Sequence, residues 1–524
     1  MNAAELLIEC LEVEGVERVY GLPGEELEDL LFALRDSSIE FVPVRHEQGA
    51  AFMANVHGRL TGEVGVCLAT LGPGATNLLT GVADAQLDKA PLVAITGQSE
   101  REQLHKESHQ TLNVVNLFAP ITKWNAQIGE AQIVPEAVRK AVKRAEHEKP
   151  GAVHLELPDD VGSEVIDADP LPVRDSVRRP EPSREAVVEA MELLAAAEQP
   201  IVLVGNGVIR TRASGELRTF AERLGAPVVA TFMGKGAISD RDERSLYTLK
   251  SGPDDEAERA LARADCVLAI GFDIAEHDPA DWNPDPDRTV IHVDHEPAEV
   301  YRNYDPDVEV VADVARALVA FTERLETTFD SWCSDLRERI VANATRRPDP
   351  DDPLSVRGTL PLLREAMADE DVLVSDVGSH KQIIARNFPT YEPNTCIISN
   401  GLASMGIAVP GAIAADQVVD GNVVAATGDG GFMMNAVELA TAERSDCGFT
   451  VVLFDDGQHR AITEQQLAHR GEHFGTELTN PDFVAFTESF GVEAREPETW
   501  PEVEQTLEDA IESRELTLVV VPIE

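Results

Sequence analysis

A chain of 524 residues is too long for one ordinary hydrophobic core, and its 43% apolar content supplies material for two to four filled ones. Its 94 acids against 44 bases leave a formal net charge of −50. Such a surface repels a phosphate backbone and an anionic membrane, so neither nucleic acid nor a membrane is an expected partner.

No apolar run approaches the ~18 residues needed to cross a bilayer. The start, MNAAELLIECLEVEGVERVY, is acidic where a secretion signal is basic, and a cytoplasmic protein is expected. Six scattered cysteines include no CxxC pair and read as reduced thiols. The acids are spread along the chain, as in PDDVGSEVIDADP and DWNPDPD, rather than gathered in a tail. Adaptation to high salt, where ions screen the self-repulsion, is the expectation.

In chain order, VGVCLAT, PLVAITG and AVHLELP read as buried strands between helix-forming stretches. A proline- and charge-rich linker runs from about Pro158 to Glu185. PIVLVGNG, APVVAT, DCVLAIG and TVIHVD follow in the same manner, and a second linker runs from about Asn343 to Ser355. DVLVSDVG, NVVAATGDG, FTVVLFDDG and LTLVVVPI complete the series. Strands apolar on both faces, alternating with helices, form parallel doubly wound sheets. The expected architecture is α/β with three such domains, at 1–165, 185–330 and 353–524. Ligands of these sheets sit beyond the carboxyl ends of the strands, so the glycine-rich turns there are where chemistry is sought.

In NVVAATGDGGFMMNAVEL a strand gives way to Gly428, Asp429, Gly430 and Gly431 and then a helical pattern. Glycines let backbone amides approach a diphosphate, and Asp429 offers oxygen to a hard cation. Alone, this fits a plain strand–helix turn equally well. A second strand ends at Asp455-Asp456-Gly457-Gln458, with Asp456 27 residues after Asp429, one strand–helix–strand unit. Adjacent parallel strands would bring both carboxylates to one sheet edge, an arrangement suited to Mg²⁺.

GDG followed after some twenty residues by an Asn-Asn or Asn-Asp pair resembles the signature of thiamine-diphosphate enzymes. Here Asp455-Asp456 departs from it and adds negative charge near the diphosphate. The resemblance implies Asp429, Asp456 and the Gln458 carbonyl as Mg²⁺ ligands. YGLPGEELEDLLFAL, VRHEQGAAFMANVHGRLTG and VCLATLGPGATNLLTGVADAQLDKAPLVAITGQ resemble the pyrimidine-binding domain of acetolactate synthases, with Pro23 in the first of these stretches. Glu47 then matches the glutamate that hydrogen-bonds N1′ of the aminopyrimidine, and Gln110, in ESHQTLNVVNLF, lies near the reacting centre. Gly72, Pro73 and Asn77 match the family's turn and also read as an ordinary helix start.

SDVGSHKQIIARNFPTYEPNTCIISNGLASMGIAVPGAIAA resembles the catabolic, flavin-independent members in particular. Gly378, Ser379 and His380 match the diphosphate-side loop, although His380 also reads as a helix-start histidine. Met405 matches the apolar residue beneath the bent cofactor. Glu26 stands where catabolic relatives carry lysine, Ala403 where they carry glutamine, and His459-Arg460-Ala461 replaces a Tyr-Asp/Asn-Met stretch; Gln465 is kept. Arg460 reads either as a binder of a second carboxylate or as a surface arginine.

The resemblance implies thiamine diphosphate and Mg²⁺ as cofactors, and decarboxylation of pyruvate with carboligation to a second 2-oxo acid. A simple 2-oxo acid decarboxylase and a non-catalytic cofactor-binding subunit are the alternatives. It further implies a homodimer or homotetramer with cofactors shared between chains. A small regulatory subunit, and a role in branched-chain synthesis or acetoin formation, stay open. Flavin-bearing members hold FAD in the middle domain. SLYTLKSGPDDEAERAL lacks their glycine-rich loop and GFDIAEHD their acid–arginine pair, so FAD is not expected.

Overall fold

The computed structural model describes residues 1–173, 177–249, 255–285 and 287–523. Part of the first linker (174–176) and of the SLYTLKSGPDDEAERAL stretch (250–254) lies outside these residues. Three six-stranded sheets, every strand pair parallel, organise the chain. The first holds β1 (Arg18–Gly21), β2 (Glu40–Pro43), β3 (Gly65–Ala69), β4 (Leu92–Gln98), β5 (Trp124–Gln127) and β6 (Ala152–Pro158), in the order β2-β1-β3-β4-β6-β5.

The second holds β7 (Pro200–Val204), β8 (Val228–Ala230), β9 (Ser245–Thr248), β10 (Cys266–Ile270), β11 (Thr289–Asp294) and β12 (Val308–Val311), ordered β12-β11-β10-β7-β8-β9. The third holds β13 (Val372–Ser375), β14 (Cys396–Ile398), β15 (Val423–Gly428), β16 (Thr450–Asp455), β17 (Glu493–Arg495) and β18 (Thr517–Pro522), ordered β14-β13-β15-β16-β18-β17. Runs such as PIVLV and TLVVV are buried residue by residue, as strands covered on both faces must be.

The strand order reverses between β1 and β3, between β7 and β10, and between β13 and β15. Each reversal opens a crevice at the carboxyl ends of its two strands. The first and third sheets share one hydrophobic core. Within it the helix Glu47–Thr61 packs on the helix Ala408–Asp416, and Phe52, Val56, Ile407 and Ile413 are buried together. Each such side chain contributes about 1.5–3 kcal/mol. At their crossing a Cβ on Gly411 would lie 2.9 Å from Val56, so the missing side chain sets the helix separation. All six cysteines are free and buried, and among the described residues no helix is long and apolar enough to cross a membrane.

Candidate functional site

The crevice of the third sheet gathers most of the residues singled out in the C-terminal third. β15 runs into Gly428, and Asp429 opens the helix Asp429–Asn435. A Cβ on Gly430 would meet the His459 ring at 2.8 Å and one on Gly431 the Asp376 carboxylate at 2.9 Å, so only glycine fits this turn. Beyond β13, Gly378 caps the helix Ser379–Asn387. The His380 ring lies against Gly428, 3.2 Å from the position of a Cβ there. Burial pushes His380 down to about 4, so the ring is neutral at pH 7. Its Nε2 is buried without a hydrogen-bond partner.

Asp429 Oδ1 accepts from the Gly430 amide (2.8 Å), and Oδ2 from the Gly457 amide (2.9 Å) and Asn480 Nδ2 (2.6 Å). Asn480 also donates to Asp455 Oδ1 (2.7 Å), tying the ends of β15 and β16 together. Burial, abetted by the charges of Asp456 and Asp455, raises the Asp429 carboxyl above its ordinary range. Asp456 accepts from the Gln458 amide (3.0 Å) and from Arg460 Nε (2.7 Å). Arg460 thus neutralises Asp456 and does not stand free. The 457–459 segment is held from outside by Leu478, whose amide donates to the Gly457 carbonyl (2.7 Å), and by the Thr476 carbonyl, which accepts the His459 amide (2.7 Å).

Clustered carboxylates of which Asp456 is paired with Arg460, a turn of glycines and an unpartnered imidazole nitrogen are groups on which a divalent cation and a diphosphate would draw. Met405 reaches the same turn, its methyl 3.4 Å from the position of a Cβ on Gly430. Ala403 precedes it with φ +55°, in the left-handed region. Asp376 is the hub the sequence reading missed. Fully buried, it accepts from the amides of Val377 (2.7 Å), Gly406 (2.7 Å) and Ala408 (3.4 Å) and from Thr427 Oγ1 (3.1 Å).

The crevice of the first sheet gathers the N-terminal candidates. Glu47, 5% exposed, opens its helix just beyond β2 and accepts from Asn77 Nδ2 (3.0 Å). Pro23 and Gly24 follow β1, and a Cβ on Gly24 would strike Thr70, beyond β3, at 2.3 Å. Gly72, at φ +56°, precedes Pro73 at the start of the helix Pro73–Leu87, and the Gln110 carbonyl closes over it. Gln110 is itself left-handed, at φ +54°, with its side chain exposed. Glu26 accepts from Thr70 Oγ1 (2.7 Å) at this crevice.

Among the described residues no hydrogen bond joins Glu47 to the Asp429 cluster. The chain instead links Glu47's helix to the buried Glu438, which accepts from the amides of Arg45 (3.1 Å) and His46 (2.9 Å). The second-sheet crevice is filled by the chain itself. Arg210 pairs with Glu148, Asp273 and Asp294, and Lys149 with Asp273 and Asp294. The buried Glu276 accepts from the Asn206 amide (3.0 Å) and from the Thr231 hydroxyl.

Three family models match along the chain: the N-terminal thiamine-pyrophosphate-binding domain at residues 1–117, the central domain of those enzymes at 187–321 and their C-terminal binding domain at 376–521. An acetolactate synthase of Bacillus subtilis is 33% identical, covering 100% of this chain and 93% of that protein. A probable acetolactate synthase large subunit of Methanocaldococcus jannaschii is 34% identical at the same coverages. A catabolic acetolactate synthase of Raoultella terrigena is 32% identical, covering 100% of this chain and 95% of that protein.

Proposed function

The chain belongs to the thiamine-diphosphate-dependent acetolactate synthase family, and on that premise we propose that it joins pyruvate to a second 2-oxo acid with loss of CO₂. The observation that supports this most is the pair of equipped crevices: buried Glu47 aligned by Asn77 in one, and Asp429, Asp456 and His380 around a glycine turn in the other.

When bound, thiamine diphosphate supplies the electron sink that lets a 2-oxo acid lose CO₂. Glu47 is the group that holds a proton at the pyrimidine N1′, and its burial keeps that exchange out of water. Gly428 to Gly431 and the His380 Nε2 would receive the diphosphate, and Met405 would support the coenzyme from beneath. Mg²⁺ would draw on Asp429, Asp456, the Gln458 carbonyl and phosphate oxygens. Among the described residues no group of three or more His, Cys, Asp or Glu side chains is arranged to hold a metal ion, so a cation there would need phosphate oxygens of the coenzyme as well. His459 would line the same turn, with Ala403 leading into Met405, and Gln110 and Pro23 would close the pyrimidine side.

Incubation with pyruvate, thiamine diphosphate and Mg²⁺ at high salt is expected to yield acetolactate. Free aldehyde with CO₂ as the sole products would reject carboligation. A decarboxylase is the second reading. It is favoured by Arg460, which is bound to Asp456 and so offers no free cation for an acceptor's carboxylate, and by Glu26, an acid where catabolic relatives carry lysine.

The ion-pair network in the second crevice supports a protein without tightly bound flavin, which purifies colourless. The family likeness supports a homodimer, or a tetramer of dimers, in which each cofactor lies between chains. Met433, Met434 and Val437 leave an apolar face exposed beside the diphosphate turn, as such an interface requires. The name "large subunit" carried by a relative raises a small regulatory chain as a further partner; its addition to the same assay reads that directly. The net charge of −50 supports a salt-adapted cytoplasmic enzyme.

A further inference from the structure

Two buried carboxylates, Asp84 and Asp88, take no part in the chemistry above. Both stand at the end of the helix Pro73–Leu87, whose first turns carry Asn77 to Glu47, and both are closed to solvent. Asp84 accepts from Asn55 Nδ2 (2.9 Å), on the helix that Glu47 opens. It also reaches into the third sheet, accepting from Ser399 Oγ (2.7 Å) and the Ser404 amide (3.4 Å). Asp88 accepts from the Gly401 amide (2.6 Å), the Asn400 amide (3.2 Å) and Arg59 Nη1 (3.3 Å).

Two cations answer the two acids. Arg59 donates onward to the Ile398 carbonyl (2.9 Å), and Lys381 Nζ to the Ser399 carbonyl (3.1 Å) and Asn400 Oδ1 (3.3 Å). Gly401 comes so close to the end of the helix that a Cβ would lie 2.8 Å from the Leu87 backbone. The far end of the segment is pinned as well: the Gly406 amide to Asp376 (2.7 Å) and the Gly406 carbonyl to Asn435 Nδ2 (2.7 Å). Between these anchors lie Ala403, in a conformation a non-glycine residue keeps only when its surroundings hold it, and Met405, whose methyl rests against Gly430.

Resting on the coenzyme reading above, we propose that Asp84 and Asp88 are positioning residues that fix the 399–405 loop, and with it Met405, against the Gly428–Gly431 turn. The pyrimidine-side helices thereby shape the coenzyme's seat on the third sheet. Ordinary structural support is a different role, and Asp371 serves as its control. Asp371 is also buried and accepts from the amides of Ala368 (2.7 Å) and Asn422 (2.7 Å), but at the opposite end of β13.

The test compares Asp84→Asn, Asp88→Asn, Ser399→Ala and Asp371→Asn by thermal melting, thiamine-diphosphate titration at saturating Mg²⁺, and steady-state kinetics with pyruvate. Asp84→Asn and Asp88→Asn are expected to weaken coenzyme binding about tenfold, the order of one charge-assisted hydrogen bond, with the pyruvate KM unchanged at saturating coenzyme. Ser399→Ala is expected to weaken it a few-fold at unaltered Tm, and it decides the matter if the aspartate variants fail to fold. Asp371→Asn is expected to lower Tm and leave coenzyme affinity alone. Wild-type affinity in Ser399→Ala and Asp88→Asn overturns the positioning role, as does equal weakening by Asp371→Asn. A wild-type protein that binds no coenzyme instead removes the reading on which the proposal rests.

Discussion

Asp456 carries a full negative charge where asparagine is commonest among thiamine-diphosphate enzymes, and Arg460 answers it four residues on. The pair is half-sheltered, with Asp456 8% and Arg460 25% exposed, so solvent screens it less than an open surface pair. Neutralisation in place lets an aspartate stand beside Asp429 and a diphosphate without an uncompensated third anion. Arg460→Ala is therefore expected to strengthen Mg²⁺ binding by about 1 kcal/mol, roughly fivefold. Adding Asp456→Asn should return it near the wild-type value; isothermal titration of Mg²⁺ in the presence of excess thiamine diphosphate measures both. Unchanged affinity in the single variant would show that the pair does not govern the ion. Asp456 and Arg460 were each legible in the sequence, but their bond was not, because the chain turns between them from loop into helix. Asn480 was harder still, since it reaches Asp429 from 51 residues away and no local pattern marks it.

At the scale of elements, the sequence announced strands in proportion to how deeply they lie. Every apolar run read as a strand is internal to its sheet: β3, β4 and β6, β7, β8, β10 and β11, and β13, β15, β16 and β18. The runs left unread are β1, β2, β5, β9, β12, β14 and β17, and all but β1 are sheet edges. An edge strand is paired on one side only and is kept short or polar to discourage further pairing, so it lacks a long continuous apolar signature. The helix start at Glu47 shows how an element's position depends on another part of the chain. Glu438 fills the space a side chain on Gly49 would need, with Oε1 2.7 Å from where that Cβ would stand, and it fixes the Arg45 and His46 amides. Gly49→Ala is thus expected to cost about 1–3 kcal/mol in chemical denaturation. Turnover should fall with it, because the first turn carrying Glu47 must move. A variant as stable and active as wild type would mean that Glu438 yields and the turn is not held there.

For the whole molecule the deciding quantity is charge. An excess of 50 negative charges repels itself through solvent over distances that salt sets, ~10 Å at 0.1 M and ~3 Å at 1 M. Raising salt therefore removes most of the surface repulsion. It barely touches the pairs that join the first and second sheets, because they are largely shielded from the ions: the side chains are 6% and 19% exposed in Arg210–Glu148 and 15% and 0% in Lys149–Asp294. In the proposed dimer repulsion would be larger again, since pairing two such chains brings both excesses together, and the exposed apolar face at Met433, Met434 and Val437 would have to overcome it. The proposed dimer and the fold are accordingly expected to gain stability together as KCl rises from about 0.1 M to about 2 M. Thermal melting should shift upward by several degrees, and sedimentation velocity should move from monomer toward dimer over the same range. Glucose or sucrose at matched osmolality gives no screening and should not reproduce the change in assembly. A protein that melts at the same temperature and sediments as the same species throughout would show that its carboxylates are balanced locally, and that salt plays no part in the proposed pairing of two chains.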